Sequence, residues 1–183
     1  AAFSLVCAAS SARLMPSLVL DLAYNAPDSA LLDPLGEGHW QQILELWLLN
    51  LQNELPQEFR AAEYSVGLQL CSDDVIAALN GSWRAKPEAT DVLAFPSGPQ
   101  LQLPGVPCEL GDIVISLETA KRDALEGIEH ELCFLASHGL LHLLGWDHPD
   151  EEQLAAMLMR QQQLLELLPA QISGIVAKQA FSR

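Results

Sequence analysis

His138-Gly139-Leu140-Leu141-His142-Leu143-Leu144-Gly145-Trp146-Asp147-His148 is the stretch from which the rest of the chain can be read. It holds three of the chain's five histidines. His138 and His142 are four residues apart, so on a helix their side chains stack on one face, one turn above the other. Gly145 suits a left-handed turn that ends the helix and brings the chain back, which lets His148 reach the same point. Imidazoles gathered this way make the ligand set of a catalytic zinc whose fourth position is left to water. A lone histidine here would read as a polar group on a half-buried helix. Three at this spacing around a helix-stopping glycine read as a metal site.

The same residues fit the extended zinc-protease pattern H-E-x-x-H-x-x-G-x-x-H at His138, His142, Gly145 and His148. The glutamate that activates water for peptide hydrolysis is replaced by Gly139. The cage is kept and the proton acceptor is lost. This argues against a metzincin-like protease and for metal-assisted hydrolysis of something other than a peptide.

The stretch resembles the signature of the YbeY endoribonucleases, or rRNA maturation factors, H-G-x-L-H-L-x-G-[YW]-D-H. Two further blocks agree in the same order. Leu79-Asn80, Trp83-Arg84 and Thr90-Asp91-Val92-Leu93-Ala94-Phe95-Pro96 are similar to the family's L-N-x-x-[YW]-R and T-D-V-L-[SA]-F-P. Leu110-Gly111-Asp112-Ile113-Val114-Ile115-Ser116 is similar to its L-G-D-I-x-I-[SC] strand. The likeness runs from about residue 64 to the helix after His148 and is loose outside that span. It implies a zincin-like fold and one zinc ion per chain on His138, His142 and His148. It also implies a zinc-dependent, single-strand-specific endoribonuclease acting in 16S rRNA 3′-end maturation and ribosome quality control. RNA is then the partner, with ribosomal proteins or the small subunit beside it, and Arg84 and His138 are the residues tied to activity.

At 183 residues the chain reads as one domain, 1–183, large enough to bury a core, with 1–16 a flexible extension. Half of the residues are hydrophobic and 18% are charged, which excludes a disordered chain. Cys7, Cys71, Cys108 and Cys133 form no C-x-x-C pair and read as small buried hydrophobes in a reducing compartment. No apolar run approaches the ~18–20 residues of a transmembrane helix, so such a helix is excluded and no membrane partner is expected. Ala1 to Ala12 is rich in small residues, and Arg13 alone is too little charge for a transit peptide. It reads as a frayed extension or a trimmed targeting remnant, on a protein of the cytoplasm.

Charge cuts against nucleic-acid binding. Nine basic and twenty-four acidic residues give −15, whereas nucleic-acid binders usually present a basic face. Net charge governs solubility and steering rather than a local site. Arg84 with Lys86, and Lys121 with Arg122, sit near the motifs, while acidic residues crowd at Asp150-Glu151-Glu152 and between Asp21 and Asp33. The expectation is a local basic cleft on an acidic body.

Periodicity supplies the scaffold. Ser17 to Tyr24 alternates like a strand. His39 to Leu55 repeats apolar residues at helical spacing (Trp40, Ile43, Leu44, Trp47, Leu48, Leu51) before Pro56. Tyr64 to Cys71 alternates again, and Ser72 or Asp73 caps a short helix. Val92 to Phe95 and Ile113 to Ile115 read as short strands around a Gly/Pro-rich loop, with Asp112 closing the turn before the second. A helix capped by Ser116 should run to about Gly127, and another from Ile128 through the two histidines to Leu144. A last helix has Pro149 in its first turn and reaches Leu168. Its Leu154, Met157, Leu158, Gln161, Leu164, Leu165 and Leu168 read as a stripe packed on the core. The fold class is α+β: a small mixed four-stranded sheet with about five helices, the metal-binding helix lying across the sheet.

Beyond the cage, phosphodiester hydrolysis profits from a second cation where charge builds on the phosphoryl oxygens, and a guanidinium meets two of them in one plane. Arg84 is that residue, in a segment too polar to be core. Lys86, Asn80 and Thr90 are weaker candidates for substrate contact, and Asn80, Thr90 and Ser116 each have a structural job open to them. Asp147 either orients a ligand imidazole or caps the following helix. His39 and His130 have ordinary roles, since His130 lies about 12 Å up the helix from His138. Two readings stand: a zinc-dependent endoribonuclease, and a zinc-stabilised ribosome-associated binding module with little catalysis.

Overall fold

The computed structural model describes residues 18–28, 33–100 and 103–168. The expected extension over 1–16 lies outside them. The elements run β1 (Val19–Asn25), α1 (Glu37–Leu51), a 3-10 turn (Gln57–Phe59), β2 (Glu63–Cys71), α2 (Asp73–Arg84), β3 (Val92–Pro96), β4 (Cys108–Ser116), α3 (Leu117–Asp123), α4 (Ile128–Leu143) and α5 (Glu151–Glu166). This is the α+β fold read from the sequence, with a mixed sheet of four strands and five α-helices.

The strand order is β1-β2-β4-β3. β1 and β4 both run parallel to β2, and only the edge strand β3 is antiparallel to its neighbour. Parallel neighbours need long crossovers. Here α1 carries the chain from β1 to β2, and α2 with β3 carries it from β2 to β4. One sheet face meets α1 and α4, with α5 behind. The six apolar positions of α1 are all buried, and so are Tyr64, Val66, Leu68 and Leu70 of β2. The two large indoles are satisfied as well as buried. Trp40 donates to Asp33 Oδ2 (2.9 Å), and Trp47 donates to the Leu164 carbonyl (2.8 Å), tying α1 to α5. The opposite face carries a small cluster, Cys71, Ile76, Leu93 and Val114, under α2.

Several boundaries differ from expectation, α1 among them: it ends at Leu51 rather than running to Leu55 before Pro56. β4 is longer, Cys108–Ser116, so Asp112 lies within the strand and closes no turn. The cause is a bulge. Ser65 pairs with Glu109 but Val66 pairs with Gly111, leaving Leu110 over, and Gly111 has φ 116 with no room for a Cβ beneath the Phe95 carbonyl. Leu110 and Ile113 therefore both face inward although three residues apart, which breaks the alternation a strand normally shows. α3 stops at Asp123 because Ala124 turns extended. Pro149 precedes α5 instead of opening it, and the cap is Asp150, whose carboxylate accepts from Gln153 N–H (2.8 Å). Ser72 and Ser116 cap α2 and α3.

Along α5, Met157, Gln161, Leu164 and Leu165 are buried, as is Leu168 just beyond it, whereas Leu154 and Leu158 are exposed. Cys71, Cys108 and Cys133 are buried free thiols, and Cys7 lies outside the described residues. Burial raises the Cys71 thiol to about 11 and Cys133 to about 12, which keeps both protonated and inert. No helix among the described residues is long and apolar enough to cross a membrane.

Candidate metal centre

α4 ends as its sequence demands. Gly145 takes φ 89; its N–H bonds the His142 carbonyl (3.1 Å) and the Trp146 N–H bonds the Leu141 carbonyl (3.0 Å). This is the Schellman pair of bonds. The turn carries His148 back over the helix beside His138 and His142. One ligand nitrogen from each of the three imidazoles lies within 4.8 Å of the others, and all three rings are partly buried. The Nε2 atoms of His138 and His142 are 3.1 Å apart.

The other nitrogens of the two helical rings are engaged. His142 Nδ1–H donates to the Trp146 carbonyl (2.9 Å), a group placed by the same turn. His138 Nδ1 lies 3.2 Å from Gln161 Oε1 on α5. Burial, the larger cause, holds both rings below the ordinary imidazole value; His142 is lowered further by His138, and His138 by His148. Neutral rings with convergent lone pairs are the form in which histidine binds metal. The donor set fits a divalent ion such as zinc.

The cluster opens into a cleft of about 570 Å³, lined among others by Arg84, Thr90, Asp91, Pro96, Gly139 and Asp147. β3, the antiparallel edge, forms one wall, α4 another, and the end of α2 closes the side. Arg84 is the last residue of α2 and is exposed toward this cleft. It makes no hydrogen bond or ion pair with any described residue. Its position is set by Asn80, whose carbonyl accepts from the N–H groups of Ala85 and Lys86 and whose amide donates to the Glu88 carbonyl (3.0 Å). Ala85 takes the left-handed conformation, φ 55, at that helix end.

Sequence-derived candidates thus divide. His138, His142, His148, Arg84 and Thr90 meet in one cleft. Asn80 is buried and holds the loop after α2, and Lys86 is exposed without lining the cleft. Asp147 does neither of its expected jobs: its carboxylate accepts the backbone N–H of His148 (2.8 Å). His39 bonds the Leu35 carbonyl and His130 faces Glu126, both ordinary roles.

Among the described residues, the expected basic cleft reduces to one guanidinium. Arg60 is spent on backbone carbonyls, Arg122 on Asp73 and Arg160 on Glu54, and Lys121 lines no part of the cleft. Two acidic residues, Asp91 and Asp147, line it beside Arg84.

Sequence reasoning missed one group. Gln161 was read as one more residue of a core stripe, although an amide among leucines asks for partners.

The family model described as "Endoribonuclease YbeY" matches residues 35–169. A Synechococcus sp. (strain RCC307) protein named Endoribonuclease YbeY is 54% identical over 157 residues, covering 83% of this chain and 95% of that one. Another of that name, from Synechococcus sp. (strain CC9311), is 43% identical over 169 residues, covering 81% and 95%. Among solved structures, the solution structure of TM1509 from Thermotoga maritima is 26% identical with a TM-score of 0.45, covering 85% of this chain and 91% of that one.

Proposed function

This chain belongs to the YbeY endoribonuclease family, and from that premise we propose that it is a zinc-dependent, single-strand-specific endoribonuclease acting in rRNA maturation and ribosome quality control. One observation carries the reading: three convergent imidazoles share a cleft with a guanidinium that has no partner among the described residues, and a glycine stands where a protease keeps its base.

Zinc bound there supplies a water acidified toward neutral pH and a positive centre for a phosphoryl oxygen. The chain's own residues supply the rest. His138, His142 and His148 would hold the ion, one per chain. Arg84 grips two phosphoryl oxygens in a plane and meets the charge that grows on them in the transition state. With no partner among the described residues, its donors are left for substrate. Thr90 offers a neutral hydroxyl at the cleft wall. Lys86, exposed just past the end of α2, is a weaker contact for substrate, and Asn80 acts through the helix end that aims Arg84. Preference for single strands is what the family resemblance implies, and the cleft walled by α4 and β3 is where such a strand would lie. The family resemblance implies the cytoplasm and work on the small ribosomal subunit, at the 3′ end of 16S rRNA.

The second reading, a zinc-stabilised ribosome-associated binding module, is favoured by the single cation that the described residues bring to the cleft and by the net charge of −15. With so few phosphate contacts, free RNA is held weakly and a ribosomal partner must position it. The test is elemental analysis with a cleavage assay. Wild type should carry one zinc per chain and cut single-stranded rRNA fragments until a chelator is added. His142→Ala should lose both metal and cleavage. Stoichiometric zinc in His142→Ala removes the cage assignment, and zinc without cleavage favours the binding module.

A further inference from the structure

We propose that Gln161 is a positioning residue: it fixes the His138 imidazole with its proton on Nδ1 and its Nε2 lone pair turned into the cluster. The inference rests on the metal-centre reading above.

Gln161 is fully buried on α5, a helix that contributes no ligand. Its amide has two ends, and the surroundings decide which faces the histidine. Gln161 Nε2 lies 3.2 Å from the Phe134 carbonyl and 3.5 Å from Ser137 Oγ. The Phe134 carbonyl can only accept. It also accepts from the Ser137 hydroxyl (2.8 Å), so that hydroxyl has no proton left for the amide. Both neighbours therefore require an N–H, and the NH₂ end must sit there. The oxygen is left facing His138 Nδ1 at 3.2 Å.

An amide oxygen cannot donate, so Nδ1 must carry the proton. Nε2 is then unprotonated and stands 3.1 Å from His142 Nε2. A backbone carbonyl on α4 thus sets an amide on α5, and that amide sets the tautomer of a ring back on α4. A leucine here would fill the space and leave the ring free to turn or to hold its proton on Nε2. Partners of this kind typically contribute about 10- to 100-fold in metal affinity. A role in packing alone predicts the reverse, because an apolar residue of similar size suits a core at least as well.

The test uses the full chain as wild type, Gln161→Leu and Gln161→Glu. Zinc affinity is measured by competition with a chromophoric chelator, and the His138 tautomer by long-range 15N–1H correlation before and after zinc is added. Gln161→Leu should keep its circular dichroism and bind zinc about 10- to 100-fold more weakly. Gln161→Glu keeps an acceptor for Nδ1–H and should hold zinc more tightly than the leucine variant. Wild type should show the Nδ1–H form even without metal. An Nε2–H tautomer in the metal-free wild type overturns the proposal whatever the variants do. So does a folded Gln161→Leu protein whose zinc affinity lies within threefold of wild type. If wild type binds no zinc, the metal-centre reading falls, and the tautomer alone decides the role of Gln161.

Discussion

Gly139 lies against Ile113 so closely that a Cβ on the glycine would stand 2.7 Å from the isoleucine Cγ2. The position that a zinc protease gives to its catalytic glutamate is here the point where α4 rests on β4. A side chain at 139 would prise the helix off the strand, so the missing base follows from packing as well as from chemistry.

Gly139→Ala should therefore destabilise the protein. Overpacking typically costs about 1–3 kcal/mol, and the gain in helix propensity of up to about 1 kcal/mol offsets only part of that. Guanidinium unfolding of the metal-free proteins measures the balance. A variant as stable as wild type would show that Ile113 yields freely and that the close approach is incidental.

Arg84 separates the two functional readings. Arg84→Ala should keep fold and zinc while cleavage falls by about 100- to 1,000-fold, the usual cost of removing a group that meets transition-state charge. Arg84→Lys should recover only part, since an ammonium cannot grip two oxygens in one plane. Single-turnover cleavage of an rRNA fragment at equal zinc occupancy is the measurement. Equal rates in all three proteins would take Arg84 out of the mechanism.

Asp73 predicts a pH dependence. Hydrogen bonds from the Ser116 hydroxyl, first, and from Thr119 hold its carboxyl below the ordinary value against a small opposing effect of burial, and Arg122 adds to the lowering. A carboxyl depressed in the folded state contributes stability above its unfolded value, about 3.9, and loses it as pH falls through the folded value. Asp73→Asn should thus be less stable than wild type at pH 7, with the gap closing as pH drops below about 4. Unfolding midpoints across that range test it, and a gap independent of pH would sink the assignment.

What the sequence made legible was whatever repeats or is chemically rare. The apolar spacing of Trp40, Ile43, Leu44 and Trp47 announced α1, and Tyr64 to Leu70 announced β2, because each element buries a single face. The histidine cage was readable since four residues on a helix and a glycine stop leave little freedom. β4 was cut short in the reading because its bulge at Leu110–Gly111 shifts the inward phase in mid-strand. The expected basic cleft failed because proximity in sequence does not say which way a cation turns: Arg122 turns to Asp73. Gln161 went unrecognised because its partner is 23 residues away on another helix.

The turn at Gly145 has a dynamic consequence. The carbonyl that receives His142 Nδ1–H belongs to Trp146, and Trp146 is placed by the same two bonds that stop α4. Helix ends fray, and this one cannot do so privately: each opening of the terminal bonds also releases an imidazole and the tether of His148. The residence time of the ion is therefore tied to the opening rate of one helix terminus. Amide exchange at Gly145 and Trp146 should slow together with metal release.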